Sequence, residues 1–421
     1  MKVLVVGGGG REHTIIWKIA QSPIVDKIYA APGNGGISEL AECVDIKATD
    51  IDGVVSFAKK ENIDLVMVAP DDPLVMGMVD ALEKEGIRTF GPRANAAIIE
   101  GSKAFAKELM KKYNIPTAGY EVFTDSESAI EYLSKGTFPA VIKADGLALG
   151  KGVIIAKDLE EASAAVREMI DDGKFGKSGS CVVIEEFLTG PEVSVLAFTD
   201  GKTVVPMVSA QDHKRAYDND EGLNTGGMGT FSPSRLYDSA KAEECMKNIF
   251  IPTMNAMNAE GRTFKGVIYF GLMMTEKGVK VIEYNARFGD PETQVVLPRL
   301  KTDFVEIMNA VIDERLDEIN IEWEDNAAVC VVMASGGYPV KYTSGYEIKG
   351  LDALSGCDDI TVFHAGTKKD QDKFLTAGGR VIGVTAVAKD LDSAIKRAYE
   401  GVEKVSFTDA HYRHDIGIKK Y

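Results

Sequence analysis

The first hundred residues alternate short apolar runs with longer amphipathic stretches. Uninterrupted apolar runs predict buried strands, whereas apolar residues spaced three and four apart predict helices. Strands are therefore expected at residues 3–6, 27–30, 65–69 and 89–90, and helices at 12–20, 51–60 and 74–85. Strands that alternate with helices in this way predict a parallel sheet with helices on both faces. We predict a Rossmann-like α/β domain over residues 1–102.

Beyond residue 102 the pattern changes to short strands separated by glycine-rich turns. Strands are expected at residues 140–143, 153–156, 181–185, 193–198, 266–275 and 279–284, and helices at 94–99, 102–113, 159–171 and 239–259. The short strands and glycines near the start of this region predict a small mobile subdomain at about residues 124–190. We place it within a second domain, residues 103–326.

The last hundred residues form a third unit in this pattern. Residues 316–326 are acidic and poorly periodic, which predicts a linker. After it, strands are expected at residues 327–334, 360–364 and 380–388, and a helix at 391–401. We predict a small α+β C-terminal domain over residues 327–421, so the whole chain is of the α/β class.

Composition and charge narrow the function classes. The chain has 421 residues, 45% of them hydrophobic, and a net charge of −16. This size fits two to four domains. The acidic balance argues against nucleic acid or an anionic membrane as a partner, because both attract basic surfaces. The five cysteines are widely spaced without a C-x-x-C pair, and no apolar run reaches the length of a membrane helix, so we expect reduced thiols in a cytoplasmic protein.

A run of four glycines, residues 7–10, follows the first predicted strand. Glycines between a strand and a helix allow backbone N–H groups to approach a phosphate at the helix N-terminus. The dinucleotide fingerprint is incomplete, because Glu12 stands at its last glycine position and no acidic residue ends the second strand. A phosphate or substrate loop is favoured over an NAD site. A tight turn without a ligand is the alternative.

A second glycine-rich segment, residues 145–152, follows the strand that ends at Lys143 and carries Lys151. A hairpin of this composition can close over a triphosphate, whose charge its N–H and ammonium groups neutralise. The segment does not match the Walker A pattern. The alternative is a glycine hairpin with surface lysines.

Carboxylates at the end of an apolar strand favour the phosphate-binding interpretation of this hairpin over a surface hairpin. Glu185 and Glu186 close residues 181–186, about forty residues beyond Lys143, and Glu192 follows. The strand edge can offer backbone groups to an adenine ring, and Glu192 is placed for ribose hydroxyls. Any one of these carboxylates could simply be solvated at a strand end.

Glu283, Asn285 and Arg287 occupy alternate positions on a predicted strand. Residues two apart on a strand share a face. A carboxylate and an amide oxygen are hard ligands that suit Mg²⁺ carrying ATP phosphates. Arg287 lies on the same face if the strand persists, where it could hold a transferred phosphoryl group. Polar residues on one face could also be solvated, but the apolar neighbours favour a buried site.

Charged residues at positions 211–215 precede a glycine-rich polar stretch, residues 224–229. The combination suits a small anionic substrate, and the alternative is a mobile surface loop. The five histidines show no metal-binding spacing, and no Ser/His/Asp or Cys/His nucleophile arrangement can be recognised.

Several strings spread over the whole chain are more specific than these patterns. They are residues 9–13 (GGREH), 31–34 (APGN), 99–103 (IEGSK), 142–148 (IKADGLA), 211–215 (QDHKR), 224–229 (NTGGMG), 287–292 (RFGDPE), 334–339 (ASGGYP) and 362–367 (VFHAGT). In these strings the chain resembles the phosphoribosylamine–glycine ligase family of ATP-grasp enzymes. It departs from the family at Asp71, where the family usually has Glu, and at Leu223, where it usually has Pro.

The resemblance implies a reaction. Glycine is phosphorylated by ATP to glycyl phosphate, and the amine of 5-phosphoribosylamine then displaces phosphate to give glycinamide ribonucleotide for purine biosynthesis. It also implies an ATP-grasp fold after the N-terminal domain, ATP with Mg²⁺ or Mn²⁺ as cofactors, and small-molecule partners only; we expect a monomer. Two alternatives are another ATP-grasp carboxylate–amine ligase and a nucleotide-binding regulator without turnover.

The resemblance further assigns residues to roles. Glu283 and Asn285 are the expected metal ligands, and Arg287, Lys214 and Asp212 the candidate catalytic residues. ATP is expected to contact Lys107, Lys143, Gly146, Gly150, Lys151, Gly152, Glu185, Glu186, Leu188 and Glu192. The other substrates are expected to contact Gly9, Gly10, Asn224 and Gly227.

Overall fold

A computed structural model describes residues 1–147, 152–174 and 176–418. Its strands are β1 (Lys2–Gly7), β2 (Lys27–Pro32), β3 (Glu42–Cys43), β4 (Leu65–Val68), β5 (Thr89–Phe90), β6 (Tyr120–Phe123), β7 (Ala140–Ala144), β8 (Val153–Ala156), β9 (Val182–Glu186), β10 (Glu192–Thr199), β11 (Val204–Pro206), β12 (Gln211–Asp212), β13 (Arg215–Tyr217), β14 (Glu221–Asn224), β15 (Gly229–Ser232), β16 (Gly266–Thr275), β17 (Gly278–Asn285), β18 (Ala327–Ser335), β19 (Ile360–His364), β20 (Thr367–Asp370), β21 (Lys373–Thr376), β22 (Arg380–Ala388) and β23 (Ala410–His411). Its α-helices are α1 (Gly10–Ile19), α2 (Ile51–Glu61), α3 (Asp71–Val75), α4 (Met78–Lys84), α5 (Ala94–Gly101), α6 (Lys103–Lys112), α7 (Ser126–Ser134), α8 (Leu159–Ile170), α9 (Ser239–Cys245), α10 (Ile251–Ala259), α11 (Thr293–Val296), α12 (Phe304–Ile312) and α13 (Leu391–Val402).

The N-terminal segment folds around a five-stranded sheet in the order β3-β2-β1-β4-β5. All its strand pairs are parallel, which confirms the predicted parallel sheet. Side chains of β1 alternate between two apolar clusters because successive residues of a strand point to opposite faces. Leu4 and Val6 pack with α2, α4 and α5 on one face. Val3 and Val5 pack with α1 and α12 on the other. The loops that follow β1 and β4 therefore open at the carboxyl edge of the sheet, the usual place for ligands in such folds.

The prediction of a single helix over residues 74–85 is wrong. The structure has two helices there, α3 and α4, with a break at Gly77. Gly77 has a φ of +90°, in the left-handed region, where a residue without Cβ carries no steric penalty. The apolar spacing continues across the break, so the pattern alone hid it.

Two four-stranded antiparallel sheets make up most of the central segment. The first has the order β6-β9-β7-β8 and carries α7 and α8. The second has the order β11-β10-β16-β17. Asp125 and Asp158 cap the two helices of the first sheet by accepting backbone N–H bonds, which is why these helices begin where they do. The predicted mobility of this first unit stays a prediction.

The helix predicted over residues 239–259 is continuous but not uniform. Between α9 and α10, residues Met246–Phe250 form a π-helical turn. Pro252 stands one residue into α10. A proline ring clashes with the carbonyl four residues earlier and donates no hydrogen bond, so a wider turn before it relieves the clash.

The C-terminal sheet is built from two parts of the chain. Its order is β12-β15-β18-β22-β19, with β23 also paired to β18. Strands β12 and β15 come from the central segment, and β18, β22 and β19 from beyond residue 326. The predicted linker, residues 316–326, is irregular but fixed, because Leu316 is buried and Trp323 bridges to Leu300.

Among the described residues, no helix combines the length and hydropathy needed to cross a bilayer.

Candidate active site

One crevice gathers loops from the N-terminal sheet, both central sheets and the C-terminal sheet. Its volume is about 860 Å³. Most of the predicted site residues line it: Lys107, Lys143, Gly152, Glu185, Glu186, Leu188, Glu192, Asp212, Lys214, Asn224, Glu283, Asn285 and Arg287. Residues more than 170 positions apart in sequence therefore meet at one place.

Some predicted glycines lie just behind this lining. A methyl group added to Gly10 would come within 2.7 Å of Gln294 Nε2, and one added to Gly227 within 2.7 Å of Asp212 Oδ1. A methyl group on Gly9 would lie 3.5 Å from Asp290 Oδ2. These glycines allow the close approach of loops that surround the crevice.

The second glycine-rich segment is only partly described. The carbonyl of Gly146 accepts a hydrogen bond from Lys103 Nζ at 2.9 Å, which ties the start of this loop to α6. Gly150 and Lys151 lie outside the described residues.

Two lysines share one carboxylate at one end of the crevice. Lys107 Nζ lies 2.9 Å from Glu185 Oε2, and Lys143 Nζ lies 2.8 Å from Glu185 Oε1. All three side chains are at least 94% buried. Burial lowers the pKa of Lys107 to about 8, with the charge of Lys143 adding to the effect, although Glu185 opposes it. The site thus concentrates positive charge where solvent does not screen it.

Lys214 forms ion pairs with two carboxylates of the crevice, Glu192 and Glu283. Its Nζ lies 2.8 Å from Glu192 Oε2 and 3.5 Å from Glu283 Oε1. Burial lowers the pKa of Lys214, but the two carboxylates outweigh it and leave the pKa well above the usual range. In turn Lys214 holds the pKa of Glu283 below its usual value against the effect of burial. Glu283 is therefore an anion at neutral pH.

Glu283 and Asn285 end β17, on one face of the strand. Asn285 is held by its neighbours when its amide nitrogen is turned toward Glu100 Oε1 (3.0 Å) and the carbonyl of Tyr284 (3.2 Å), the orientation that makes both contacts hydrogen bonds. The amide oxygen is then the atom suited to a cation. In the described part of the chain no group of three or more His, Cys, Asp or Glu could hold a metal. Two protein oxygens fit an ion that takes its other ligands from phosphates and water, as Mg²⁺ does.

Arg287 reaches the crevice although β17 ends at Asn285. Its Nη2 lies 2.8 Å from Glu100 Oε1 and 3.7 Å from Asp71 Oδ2. Burial lowers the pKa of Arg287, but these carboxylates outweigh it and raise the pKa. Within the described part of the chain, the Nε of Arg287 is buried without a hydrogen-bond partner. Asp71, the residue that departs from the family pattern, thus still lies near the guanidinium.

Carboxylates and hydroxyls crowd the other end of the crevice. Tyr269 OH lies 2.8 Å from Ser194 Oγ and donates to Glu292 Oε1 at 3.0 Å. Burial and the charge of Glu292 raise the pKa of Asp212 well above its usual value. Asp212 Oδ1 and Gln294 Oε1 are buried, and no described residue offers either atom a hydrogen bond. Unpaired buried polar atoms of this kind are costly, and a polar substrate would satisfy them.

The N-terminal glycine run is fixed by its own helix. Gly9 precedes α1, and its N–H donates to Glu12 Oε2 at 2.6 Å. Glu12, which breaks the dinucleotide fingerprint, thus caps the helix on which it lies. Asn34 Nδ2 donates to the carbonyls of Gly8 at 2.9 Å and of His364 at 2.8 Å, so the C-terminal domain also supports this loop.

Several residues at the crevice were missed from sequence, among them Lys103, Asp290 and Arg380. Lys103 and Asp290 lie within the family strings at residues 99–103 and 287–292, which could have drawn notice to them. Arg380, at the start of β22, had no such signal. It donates to the carbonyls of Gly226 and Asp290, both at 2.8 Å, and pairs with Asp290 Oδ2 at 3.3 Å. Charge from the C-terminal domain thus reaches the site.

Solved structures with a similar fold include two that cover nearly the whole chain. A crystal structure of phosphoribosylamine–glycine ligase from Thermotoga maritima superposes with a TM-score of 0.87 at 32% identity, covering 99% of this chain and 100% of that one. The biotin carboxylase domain of 2-oxoglutarate carboxylase from Hydrogenobacter thermophilus, in complex with MgADP and bicarbonate, has a TM-score of 0.75 at 16% identity, covering 98% and 91%. The second likeness shows the fold alone.

Sequence comparisons cover the chain from end to end. Models of phosphoribosylglycinamide synthetase match as its N domain over residues 1–100, its ATP-grasp (A) domain over 101–293 and its C domain over 328–419. Phosphoribosylamine–glycine ligase of Halalkalibacterium halodurans is 52% identical over 100% of this chain and 97% of the relative. The same enzyme of Caldanaerobacter subterraneus subsp. tengcongensis is 49% identical over 99% of each. The chain belongs to the phosphoribosylglycinamide synthetase family, the phosphoribosylamine–glycine ligases.

Proposed function

We propose that this chain joins glycine to 5-phosphoribosylamine with ATP, giving glycinamide ribonucleotide, ADP and phosphate in purine biosynthesis. The observation that carries the proposal is the crevice itself, where the buried pair Lys107 and Lys143 lines the same space as Glu283 and Arg287. In a chain of this family, that arrangement supports binding of a triphosphate beside an acceptor carboxylate.

The reaction needs activation because a carboxylate is a poor electrophile. A carboxylate oxygen of glycine attacks the γ-phosphorus of ATP, the bond to the bridging oxygen breaks, and ADP leaves. The amine nitrogen of 5-phosphoribosylamine then attacks the acyl carbon of glycyl phosphate, the carbon–oxygen bond to phosphate breaks, and the amine loses a proton. The protein contributes mainly positioning and charge neutralisation.

The nucleotide is assigned to the lysine end. Lys107 and Lys143 neutralise phosphate charge, and Glu185 keeps both ammonium groups in place until phosphates arrive. From its composition, the glycine-rich segment with Gly146, Gly150, Lys151 and Gly152 is assigned to the phosphates, where its closure would limit hydrolysis of the acyl phosphate. The adenine and ribose contacts are assigned to Glu185, Glu186, Leu188 and Glu192.

Glu283 and Asn285 are assigned as ligands of Mg²⁺ or Mn²⁺. The anionic state of Glu283 and the orientation of the Asn285 amide support this fit. A divalent ion bound there supplies charge neutralisation between neighbouring phosphates. Glu283 would hold its oxygen in place through its pairing with Lys214.

The acceptor chemistry is assigned to the other end. Arg287 stabilises the charge on the transferring phosphoryl group, since its Nε has no partner among the described residues. Asp212 takes up the proton that the attacking amine loses, a role for which a raised pKa is useful. Lys214 and Asn224 are assigned to the amine substrate, and the remaining contacts to the substrates come from Gly9, Gly10 and Gly227.

The deciding experiment measures ADP release from the purified chain with Mg²⁺, ATP, glycine and freshly prepared 5-phosphoribosylamine. Matched reactions replace glycine by alanine, β-alanine or acetate, and the amine by ammonia. We expect turnover that requires both natural substrates and a product that carries the glycyl group. Equal turnover with another acid or another amine would instead assign the chain to a different ATP-grasp ligase.

We also infer a cytoplasmic, monomeric enzyme. All five cysteines are free, and Cys245 and Cys330 are fully buried, which suits a reducing compartment. Sedimentation of the purified chain at several concentrations tests the monomer.

A further inference from the structure

Two residues assigned to the site lie at the ends of one β-hairpin. Lys214 precedes β13, and Asn224 ends β14. Arg215 pairs with Asn224 across the hairpin, and Thr225 N donates to the carbonyl of Lys214 at 2.7 Å. The position of the hairpin therefore sets the positions of both Lys214 and Asn224 in the crevice.

The tip of this hairpin has a strained backbone. Asn219 and Asp220 follow one another with φ values of +60° and +58°. Left-handed conformations are uncommon for residues with a side chain, and they persist where surrounding contacts hold them. The hairpin is also largely exposed, with Tyr217 and Leu223 each more than half accessible. Its own packing is therefore a weak restraint.

A restraint comes from Arg413, close to the C-terminal end of the chain. Its side chain is 1% exposed, and it is among the largest fully buried side chains of the protein. Its Nη1 donates to the carbonyl of Arg215 at 3.1 Å, and its Nη2 donates to Asp220 Oδ1 at 3.1 Å. One guanidinium thus contacts the base and the tip of the hairpin at once.

Asp415 completes this arrangement. Both of its oxygens lie 2.7 Å from Arg413, a bidentate geometry that fixes the plane of the guanidinium. Asp415 Oδ2 also accepts a hydrogen bond from Asn219 N at 2.9 Å, within the strained turn. The Arg413–Asp415 pair therefore contacts both side-chain and backbone atoms of the hairpin.

The neighbours of Arg413 add to the same contact. His414 N donates to Asp218 Oδ1 at 2.7 Å, and the ring of His411 contacts the carbonyl of Ala216 at 2.7 Å. Tyr399 of α13 donates to the carbonyl of Arg413 at 2.9 Å, which anchors this segment to the C-terminal domain. Residues 411–415 of the C-terminal domain therefore hold the hairpin.

We propose that Arg413 is a positioning residue, which holds the β13–β14 hairpin so that Lys214 and Asn224 are set for the amine substrate. The inference rests on the proposed function, because it assumes that the crevice binds 5-phosphoribosylamine. Glu185 and Glu186, on β9 at the adenine end, have no contact with this hairpin among those described above, whereas Lys214 at its base pairs with Glu192 at 2.8 Å. Loss of Arg413 should therefore affect one substrate more than another.

The test compares steady-state kinetics of Arg413→Gln with the unaltered chain, varying ATP, glycine and 5-phosphoribosylamine in turn. We expect KM for 5-phosphoribosylamine to rise by about tenfold or more, with KM for ATP within about twofold. Hydrogen exchange is measured in parallel, and amides of residues 215–227 should exchange faster while those of α13 do not. Arg397→Gln serves as the control, since Arg397 forms a similar bidentate pair with Asp359 in the same domain, away from the crevice.

Removing a buried guanidinium can unfold a protein, so a milder variant is included. Asp220→Asn removes one charge from the hairpin tip and leaves the Arg413–Asp415 pair in place. It should raise the same KM by about threefold or more. If Arg413→Gln fails to fold, this variant alone decides.

The outcomes separate the two proposals. Unchanged KM for 5-phosphoribosylamine in the folded variants, or an equal rise for all three substrates, overturns the role of Arg413. Absence of glycine-dependent turnover in the unaltered chain overturns the proposed function instead. The exchange measurement needs no turnover, so it still reports whether Arg413 holds the hairpin.

Discussion

The ammonium group of Lys107 lies 2.9 Å from a carboxylate oxygen of Glu185, and both side chains are at least 96% buried. Such a pair is stable only because each charge compensates the other away from water. Lys143 shares the same carboxylate, so two positive charges face one negative charge. An incoming triphosphate would supply the missing negative charge.

This relationship predicts a pH dependence. The pKa of Lys107 is lowered to about 8 by burial, so the side chain is charged below that pH and loses its proton above it. An uncharged amine neutralises no phosphate, and kcat/KM for ATP should fall as pH rises through about 8. The profile of kcat/KM reports groups of the free enzyme and is the quantity to measure.

Lys107→Arg is the matched variant for this profile. A guanidinium stays protonated throughout the range, so the fall near pH 8 should disappear even if activity is lower. A fall that persists unchanged in this variant would assign the titration to another group.

Glu283→Gln tests the metal assignment. The change keeps the shape of the side chain and removes the anion that faces Lys214, and we expect kcat to fall by about 100-fold or more. The apparent affinity for Mg²⁺, measured by titration at fixed ATP, should weaken as well. Glu276→Gln, an exposed change in the turn between β16 and β17, is the control and should be neutral. Equal activity of the two variants would contradict the assignment.

Glu100→Gln should destabilise the protein as well as impair it. Glu100 is the buried partner of Arg287 and also accepts from Ala286 N at 2.7 Å, so its loss leaves a buried guanidinium with less compensation. We expect about 3–5 kcal/mol less free energy of unfolding, measured with urea. The exposed pair of Arg88 and Asp313 gives the contrast, because Asp313→Asn should cost less than about 1 kcal/mol. Similar losses for both changes would show that burial does not set the cost.

Gly227→Ala tests the close approach of two loops. The added methyl would lie 2.7 Å from Asp212 Oδ1, and the φ of +116° is itself unfavourable for alanine. Gly261→Ala shares a positive φ, +68°, but its methyl meets nothing within 4 Å. Both variants should lose about 1 kcal/mol of stability from the backbone. Only Gly227→Ala should reduce kcat/KM for 5-phosphoribosylamine, by about tenfold or more.

Local patterns predicted most of the fold because they report burial directly. Val3, Leu4, Val5 and Val6 form an uninterrupted apolar run, which predicts a strand buried on both faces. In the structure Leu4 and Val6 pack on one face of that strand, and Val3 and Val5 on the other. Most predicted strands and helices are confirmed within two residues at their ends. The break at Gly77 was missed because the apolar spacing on either side of it stays in phase.

The candidate site was predictable where its residues lie in one string. Glu283 and Asn285 share a strand, and both line the crevice. Arg380 and Arg413 could not be found in this way, because each acts on a loop more than 150 residues earlier in the chain. Periodicity and spacing contain no information on which distant loop a buried arginine meets. Only the tertiary contacts supply it.

The shared C-terminal sheet has a consequence for synthesis of the chain. β15 ends at Ser232, whereas its partner β18 begins at Ala327. At the roughly 5–20 residues per second of a ribosome, β15 therefore waits for about 5–20 s before that partner emerges. During this interval its open edge could pair with a strand of another nascent chain. The edge of β15 therefore stays unpaired on that side until the C-terminal domain has been synthesised.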